Sequence, residues 1–408
     1  MGERPSGMAD GWAGGALEAV LGRVAVTLAE VGPRFPLSAD PGTGTWTTTR
    51  RGSWTGGFWA GLLWLRARYT GDPAHRTAAE ACTARLADWA DADTATRGLI
   101  LWYGTALATG SAPSDPLRAR AAHACLTAFD PELGLVPWGS AFGGPRLLAR
   151  ADGAPGLVPL LASAGPRGRE AAAAHLHRHL ELCVGNDGRL APAWRHDPAT
   201  GWHPLAEPAP GWSRGRAWLL LAVADALTGP GGAVACPDHL RATATRLGAP
   251  EPEPTADEAH PARTPHSPPP ATPLVPPADE SHPDGPLDTS AAAITAVALL
   301  KLATQPGQEA CARRAEAVLH RLATAHLTGT GTASGTASEA ASEAASETAS
   351  ETGEAPTIGA PVPPPGMLLH GCHDAATGTA VQHELIWGDF FLALGLAALT
   401  GVVDPREA

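Results

Sequence analysis

Twelve helical segments of two alternating kinds constrain the fold of this chain more than any other feature. Six are apolar on every side, which is typical of helices that are buried all round. The other six carry apolar residues at helical spacing and charged residues opposite, as helices with one exposed face do. The apolar segments span 53–69, 97–108, 155–163, 215–227, 290–304 and 386–399, and the amphipathic ones 14–31, 74–90, 115–129, 167–184, 237–247 and 307–327.

Pairs of this kind, repeated six times, predict an all-α protein built as an (α/α)6 barrel. Six inner helices would stand inside a ring of six outer helices, in one domain over residues 10–408. Few segments alternate as strands do, and 136–138 is too short to count. An irregular all-α fold and an open α-solenoid remain as alternatives at this point.

Two segments interrupt the alternation. Residues 249–286 are crowded with proline, and residues 328–365 are rich in glycine, serine, threonine, alanine and glutamate. Neither can bury enough apolar surface to offset the entropy lost on ordering. Because the helix pattern resumes after each, we interpret both as disordered insertions in loops, and we expect no part for them in the chemistry.

Composition limits the classes of partner. A net charge of −12 at pH 7 argues against nucleic acid and anionic membrane surfaces. Residues 1–15 lack the apolar run of a signal peptide, and we find no apolar segment long enough to span a bilayer. The six cysteines are scattered and are expected to be reduced thiols. We therefore expect a cytoplasmic protein that binds neither nucleic acid nor a membrane; the oligomeric state is left open.

The stretch 210–228, PGWSRGRAWLLLAVADALT, is the most informative for chemistry. Arg214 lies between Trp212 and Trp218 where an apolar helix begins. A guanidinium fork binds a carboxylate bidentately, and unpaired N–H groups at a helix N-terminus add to the attraction. Alternatively, Arg214 caps a neighbouring helix and both tryptophans belong to the core.

In a barrel, the inner helices all begin at one end, so the residues at their entries should converge. Tryptophan faces stack on sugar rings, carboxylates do acid–base work, and arginine holds a uronate carboxylate. This mixture predicts a carbohydrate site, although large aromatic residues also pack barrel ends whatever the function. The residues at the entries are Trp54, Thr55, Trp59, Thr96, Arg97, Trp138, Asp152, His203, Trp212, Arg214, Trp218, Asp288, Thr289, Ser290, Glu384, Trp387 and Asp389.

Four motifs, WTGGFWAGLLWL, GWSRGRAW, DTSAAAITAVALLKL and LIWGDFF, occur in this order. Together they resemble the unsaturated glucuronyl hydrolases, glycoside hydrolase family 88, over residues 35–399 apart from the two insertions. The resemblance implies an (α/α)6 barrel that removes the unsaturated uronic acid left on small oligosaccharides by polysaccharide lyases. It implies no metal and no organic cofactor. An aspartate protonates the C4=C5 double bond, water adds at C5, and the hemiketal opens and expels the aglycone.

Carried over residue by residue, the resemblance assigns one catalytic residue. Asp152, in ADGAPGLVPLL, takes the place of the family's catalytic aspartate, although the family's Met-Met-Asn is missing. The same comparison implies substrate contacts at Trp54, Trp138, His203, Arg214 and Trp218.

The departures concern a second family aspartate. A His-Asp pair of the family is replaced by Ala95 and Thr96, and two further family positions are Pro192 and Pro204. A lone aspartate can still donate one proton and take one back in a hydration. Arg97 offers a new substrate carboxylate contact near the lost pair, or else it forms a surface salt bridge with an aspartate at 91 or 93.

Other polar clusters have simpler explanations than metal binding. The ligand types at His370, Cys372, His373 and Asp374 suit zinc, but no second cluster with paired spacing accompanies them. The histidines at 175, 177 and 179 alternate along a helix, and neighbours two apart do not share a face. Asp288 and Asp389 are interpreted as residues that cap inner helices. We therefore predict no metal site.

Two kinds of function follow. The first is a glycoside hydrolase-like enzyme that removes an unsaturated uronyl residue from an oligosaccharide, with Asp152 as the acid and base. The alternative is a catalytically altered or inactive relative on the same barrel, either a carbohydrate-binding protein or a biosynthetic enzyme. Turnover of an unsaturated uronide distinguishes the two.

Overall fold

The structure, a computed structural model, describes residues 9–185, 189–229, 237–248, 273–329 and 362–408, and within them the chain is mostly helical, as predicted. One helix, α4, continues directly from a π-helical segment at Gly98–Trp102. The helices are α1 (Ala9–Val31), α2 (Gly56–Thr70), α3 (Pro73–Ala84), α4 (Tyr103–Thr105), α5 (Ser114–Ala128), α6 (Leu157–Ala162), α7 (Pro166–Cys183), α8 (Ser213–Thr228), α9 (Pro237–Gly248), α10 (Thr289–Leu302), α11 (Glu309–Ala325) and α12 (Ile386–Leu399).

Six of these helices contact one another in a closed circuit. α2 contacts α4, the π-helical segment before α4 contacts α6, and α6 contacts α8; α8 contacts α10, α10 contacts α12, and α12 returns to α2. All 16 residues of α8 are buried. A helix that is apolar all round needs neighbours on every side, and the circuit together with the outer helices supplies them.

The remaining helices pack against the outside of this circuit. α3 contacts α2, α7 contacts α6, α9 contacts α8, and α11 contacts both α10 and α12. In α11 the buried residues recur every three or four positions, which places them on one face of the helix. They are Ala315, Val318, Leu319, Leu322 and Ala323.

The turn between α2 and α3 shows how local sequence sets the helix ends. Gly71 adopts a left-handed conformation with φ 66° and donates its N–H to the carbonyl of Ala67. The carboxylate of Asp72 then accepts the N–H of Ala74 at 2.8 Å, and Pro73 occupies the first turn of α3. The chain therefore reverses within a few residues.

Strands are more numerous than the sequence suggested. Two antiparallel sheets form within the described residues, with the orders β2-β1-β7-β6 and β3-β4-β5. They were missed because short strands in long connections show little alternation. β7 runs directly into α12, and β3 leads into the turn that precedes α6. The strands are β1 (Phe35–Ala39), β2 (Trp46–Thr49), β3 (Leu148–Arg150), β4 (Ala193–Asp197), β5 (Gly201–Pro204), β6 (Gly371–Asp374) and β7 (Thr379–Leu385).

The two predicted insertions need narrower limits. Residues 249–272 and 330–361 lie outside the described residues. Residues 273–286 are structured, because Trp212 pairs with Asp279 in an isolated bridge and Ser213 donates its N–H to Ala278. Thr328 likewise binds the chain at Gly366 and Met367. The flanks of both segments therefore belong to the folded protein.

The prediction that no apolar segment is long enough to span a membrane has to be corrected for one helix. Residues Gly11–Val31 of α1 are long and apolar enough, by length and composition alone, to cross a membrane. In the structure α1 packs on α12 and α2. Its Arg23 forms a buried ion pair of 2.8 Å with Glu384. Such contacts are those of a core helix in a folded domain.

Candidate active site

A cavity of about 920 Å³ lies at the end of the circuit where the inner helices begin. Its walls come from segments far apart in the chain, because the N-terminal ends of those helices meet there. The residues that line it are Trp54, Thr96, Leu99, Trp138, Phe142, Arg150, Asp152, Glu207, Pro208, Ala209, Trp212, Arg214, Trp218, Ala278, Asp279, His282, Gly285, Pro286, Cys372, His373, Asp374, Ala375 and Ala376.

Five of the seven predicted site residues share this cavity. Asp152 and Trp138 come from the segments before α6, and Arg214 and Trp218 come from the first turns of α8. Trp54 lies in the 3-10 turn Ser53–Thr55 before α2. The predicted convergence of helix entries therefore brings these side chains together.

Arg214 is buried and tightly held. Its Nη1 pairs with Asp288 at 2.5 Å and also donates to the carbonyl of Cys372, while Nη2 donates to the carbonyl of His373 at 2.6 Å. Trp212 and Trp387 lie 5.3 and 5.5 Å from the guanidinium carbon, close enough for cation–π attraction. Within the part of the chain that the structure describes, these three hydrogen bonds use Nη1 and Nη2 and leave Nε–H for a ligand. A guanidinium group with a donor to spare can bind a carboxylate.

The tryptophans differ in how far they reach the cavity. Trp218 is 1% exposed and packs on Phe58 with nearly parallel rings, so it forms the floor and belongs to the core. Trp54 is partly buried and lies against Trp387 at 4.8 Å between ring centroids. Trp138 and Trp212 are also partly buried, which leaves part of each ring for a ligand.

Asp152 is held by an arginine from its own turn. Arg150 donates Nε–H to Oδ1 at 3.0 Å and Nη2–H to Oδ2 at 3.2 Å, and its guanidinium carbon lies 4.7 Å from the centroid of Trp138. The charge of Asp152 is the main reason that the pKa of Arg150 is raised. The side chain of Asp152 is 19% exposed and lines the cavity.

The residue that fixes the turn of Asp152 is not among the predicted site residues. His175 is buried in α7, where its Nε2 donates to the carbonyl of Gly153 at 3.2 Å and its Nδ1 accepts the N–H of Val136 at 3.1 Å. Burial, and secondly the neighbouring His179, holds the pKa of His175 well below its ordinary value, so the ring is neutral. The spacing of the three histidines along α7 argues against a metal site, but spacing alone cannot show which loops a histidine joins.

Two predicted substrate contacts have to be corrected. His203 is exposed on β5, where its Nε2 lies 2.7 Å from the hydroxyl of Thr200, and it does not line the cavity. Arg97 is 3% exposed and donates Nε–H to the carbonyl of Thr94, outside the cavity lining. Arg97 does not form the predicted surface salt bridge within the described residues either. Asp91 pairs with Arg120, and Asp93 pairs with Arg146. Thr96 lines the cavity instead.

The two aspartates interpreted as helix caps behave differently. Asp288 caps α10 as predicted, since its side chain accepts the N–H groups of Ser290 and Ala291. Asp389 lies in the first turn of α12 and makes no cap. Its carboxyl group forms a hydrogen bond with that of Glu384, and burial, followed by the charge of that neighbour, raises the pKa of Asp389 well above its ordinary range. Burial also raises the pKa of Glu384 to about 7.

The cluster at 370–374 does not assemble as a ligand set. His370 directs Nδ1 to Nδ1 of His326 at 2.9 Å, and Asp374 accepts the N–H groups of Ala376 and Thr377. Among the described residues, no group of three or more His, Cys, Asp or Glu side chains is arranged to hold a metal ion. The five cysteines in the described ranges are free thiols.

Comparison with known proteins gives a short sequence match. No protein-family model matches the chain. A segment of 59 residues is 42% identical to an unsaturated glucuronyl hydrolase from Bacillus sp. (strain GL1). That match spans 14% of this chain and only 15% of that enzyme.

Structural similarity extends over nearly the whole chain. An unsaturated glucuronyl hydrolase specific for heparin matches 97% of this chain and 100% of its own, with a TM-score of 0.73 and 19% identity. The enzyme from Bacillus sp. GL1 matches 95% of this chain and 96% of its own, with a TM-score of 0.69 and 21% identity. A variant structure that holds dGlcA-Glc-Rha-Glc gives a TM-score of 0.71 at 22% identity, covering 95% and 96% of the two chains.

At these identities the similarity establishes a common fold. The resemblance to the unsaturated glucuronyl hydrolases is confirmed at that level, and the low identity marks this chain as divergent.

Proposed function

We propose that this protein is a glycoside hydrolase-like enzyme that removes an unsaturated uronyl residue from a small oligosaccharide. We propose further that residues 10–408 form a single (α/α)6 barrel, with the closed circuit as the inner ring. The fold shared with the unsaturated glucuronyl hydrolases supports both statements. The site residues and the mechanism are inferences from the cavity.

One observation carries the proposal. A carboxyl group, a guanidinium group and aromatic faces from separate parts of the chain line one cavity that is open to solvent. Asp152 and Arg214 are 62 positions apart in sequence, and Trp54 is about 100 positions before Asp152. An unsaturated uronide needs this combination, because it carries a carboxylate, a ring and a double bond that has to be protonated.

Arg214 and the aromatic residues bind and orient the substrate in this mechanism. The Nε–H of Arg214, which its protein partners leave free, donates to the uronate carboxylate. Trp54 and Trp138 are partly exposed and pack against the sugar. Because Asp288 and two carbonyl groups fix Arg214, this donor is presented without further loss of rotational freedom.

Asp152 transfers the protons. Its carboxylic acid donates a proton to C4 while water attacks C5, and the resulting carboxylate takes a proton from that water. The hydroxyl group added at C5 forms a hemiketal. Opening of the hemiketal breaks the bond between C5 and the ring oxygen and leaves a ketone at C5, and the aglycone departs from C1 of the open chain. The net reaction consumes one water and needs no redox partner.

The resemblance places a second aspartate at position 96, where this chain has Thr96 in the cavity lining. The proposed mechanism therefore uses one carboxyl group, that of Asp152, for both proton transfers, unlike the two-carboxylate arrangement of an ordinary glycosidase.

An absorbance assay tests the proposal. Incubation with unsaturated uronyl disaccharides is expected to abolish the ultraviolet absorbance of the C4=C5 bond, and Asp152→Asn is expected to lower kcat by at least about 10³-fold. His203→Gln, outside the cavity, serves as the matched control and should keep activity. Tight binding of the disaccharides without any loss of absorbance would instead identify a carbohydrate-binding relative and contradict the proposed hydrolase.

A further inference from the structure

The outer part of the cavity is lined by carboxylates from three separate segments. Glu207 lies in the loop after β5, Asp279 in the structured flank 273–286, and Asp374 at the end of β6. Glu207 is exposed and the other two are partly exposed, whereas Arg214 and Trp218 at the bottom are buried. The charge of this outer part therefore acts on whatever sugar extends beyond the unsaturated residue.

Local hydrogen bonds keep two of these carboxylates ionised and fixed. Burial raises the pKa of Asp279, but hydrogen bonds from Ser281 and His282 outweigh it, so the pKa is lowered overall. Burial likewise opposes hydrogen bonds from Thr377 and Ala376 at Asp374, and the bonds again lower its pKa. Both groups are negatively charged at neutral pH.

Both arginines that line the cavity form ion pairs with carboxylates other than these three. Arg150 pairs with Asp152 and Arg214 pairs with Asp288. Lysine does not occur among the residues described as lining the cavity. The imidazole of His282 binds Asp279 at 2.9 Å and adds positive charge only when it is protonated. The outer cavity consequently carries a net negative charge.

An aromatic ring forms the apolar part of the outer cavity, beside the three carboxylates. Phe142 is 39% exposed at the cavity and stacks on Trp89, with ring centroids 5.1 Å apart and planes 12° apart. Arg51 lies on Trp89 at 5.0 Å and supports the stack. Phe142 therefore offers an apolar face to a sugar ring without adding charge.

We propose that the outer cavity selects an aglycone sugar that is uncharged or carries a free amine, and that it rejects sulfated or uronate aglycones. This inference rests on the proposed function and specifies its substrate class. Like charges in a concave, partly desolvated site disfavour the wrong ligand, whereas an ammonium group is attracted.

Three disaccharides test the selection. They share the unsaturated uronyl residue and the linkage, and their aglycones are N-acetylglucosamine, its 6-sulfate and glucosamine with a free amine. At about 20 mM salt and about pH 7, where the sugar amine is mostly protonated, kcat/KM for the sulfated compound should be lower than for the neutral one by about tenfold or more. The ratio should shrink in about 0.3 M salt, because salt screens exposed charges.

Charge variants locate the effect. Glu207→Lys and Asp374→Asn should bring the kcat/KM values for the neutral and the sulfated disaccharide closer together, with Glu207→Lys giving the larger change. Glu170→Gln, an exposed carboxylate on α7 outside the cavity lining, is the matched control and should leave the ratio unchanged. Equal or better use of the sulfated substrate at low salt would overturn the inference.

A binding measurement separates this inference from the proposed function. Calorimetry with the Asp152→Asn variant compares the three disaccharides without turnover. If none is cleaved by the wild type but the neutral and amine compounds bind at least about tenfold tighter than the sulfated one, hydrolysis fails and charge selection stands. Absence of binding to all three overturns both.

Discussion

His175 shows how one buried side chain can set the geometry of a site that it does not touch. Its two ring nitrogens join Gly153, next to the candidate acid, to Val136, two residues before Trp138. Because both nitrogens are engaged and the ring is neutral, the tautomer is fixed with the proton on Nε2. His175 is therefore a positioning residue in the proposed mechanism.

Two substitutions at His175 separate its two hydrogen bonds. His175→Gln keeps an N–H donor near Nε2, whereas His175→Asn keeps an acceptor near Nδ1 and loses the bond to Gly153. We expect the Asn variant to lose about 10- to 100-fold in kcat with KM changed less than about threefold, since small displacements of an acid cost much of its rate. The Gln variant should retain most of its kcat.

Steady-state kinetics on an unsaturated disaccharide, together with unfolding in urea, checks this. Both variants should lose about 1–3 kcal/mol of unfolding free energy, because each leaves one buried group unpaired. His177→Gln, exposed on the same helix, is the control. Equal kcat in the Gln and Asn variants would show that the bond to Gly153 has no part in positioning.

At the scale of elements, glycines determine how closely the inner helices approach. A Cβ on Gly98 would lie 2.1 Å from the backbone nitrogen of Leu157, and one on Gly57 would lie 2.2 Å from the carbonyl oxygen of Leu99. Both neighbouring atoms belong to the backbone, so a change of side-chain rotamer cannot relieve the clash. Contact between neighbouring inner helices at these points depends on the absence of a methyl group.

The matched pair Gly98→Ala and Gly22→Ala tests this packing. Gly98→Ala should lower the unfolding free energy by more than about 4 kcal/mol or prevent soluble expression, because the π-helical segment and the start of α6 would have to separate. Gly22 is exposed in α1 with nothing within 4 Å of an added Cβ. Its replacement should raise stability by about 0.5–1 kcal/mol through helix propensity. A Gly98→Ala protein as stable as the wild type in guanidinium would contradict the packing.

At the scale of the whole molecule, two buried groups give stability opposite dependences on pH. Burial lowers the pKa of His179 to about 4, so between about pH 4 and 6.5 the unfolded chain binds more protons there than the folded protein. Stability therefore rises with pH in that window. Glu384 has the opposite effect on stability. Because its pKa is raised to about 7, the folded protein binds more protons there than the unfolded chain between the ordinary pKa of a glutamate and pH 7, so stability falls as the pH rises.

Urea unfolding between pH 4.5 and 7.5 distinguishes the two contributions. His179→Gln should reduce the loss of stability from pH 7 to pH 4.5 by roughly 2–3 kcal/mol, because it removes a group that has to be kept neutral. Glu384→Gln should increase the loss of stability from pH 7 to pH 4.5. It also removes the anionic partner of Arg23 at every pH. Parallel stability curves for wild type and His179→Gln would show that His179 does not titrate as a buried group.

The sequence by itself determined the helical character, the approximate positions of most helices, and five of the seven proposed site residues that share the cavity. Helix periodicity and terminators such as Gly71 act over a few residues, so a linear pattern contains them. Asp152, Arg214 and the tryptophans were predicted from the helix entries and from the motifs that resemble the unsaturated glucuronyl hydrolases. They meet because the starts of these helices converge once the circuit closes.

Tertiary structure alone decided which partners these residues have. The bond of Arg214 to Asp288, the role of His175 and the carboxylates around the outer cavity depend on contacts between residues distant in sequence, and local propensity contains no information about them. The same reason explains the corrections at His203 and Arg97: Thr96 lines the cavity, whereas the side chain of Arg97, the next residue, does not. The sequence settles which segments become helices, and only packing settles where each side chain points.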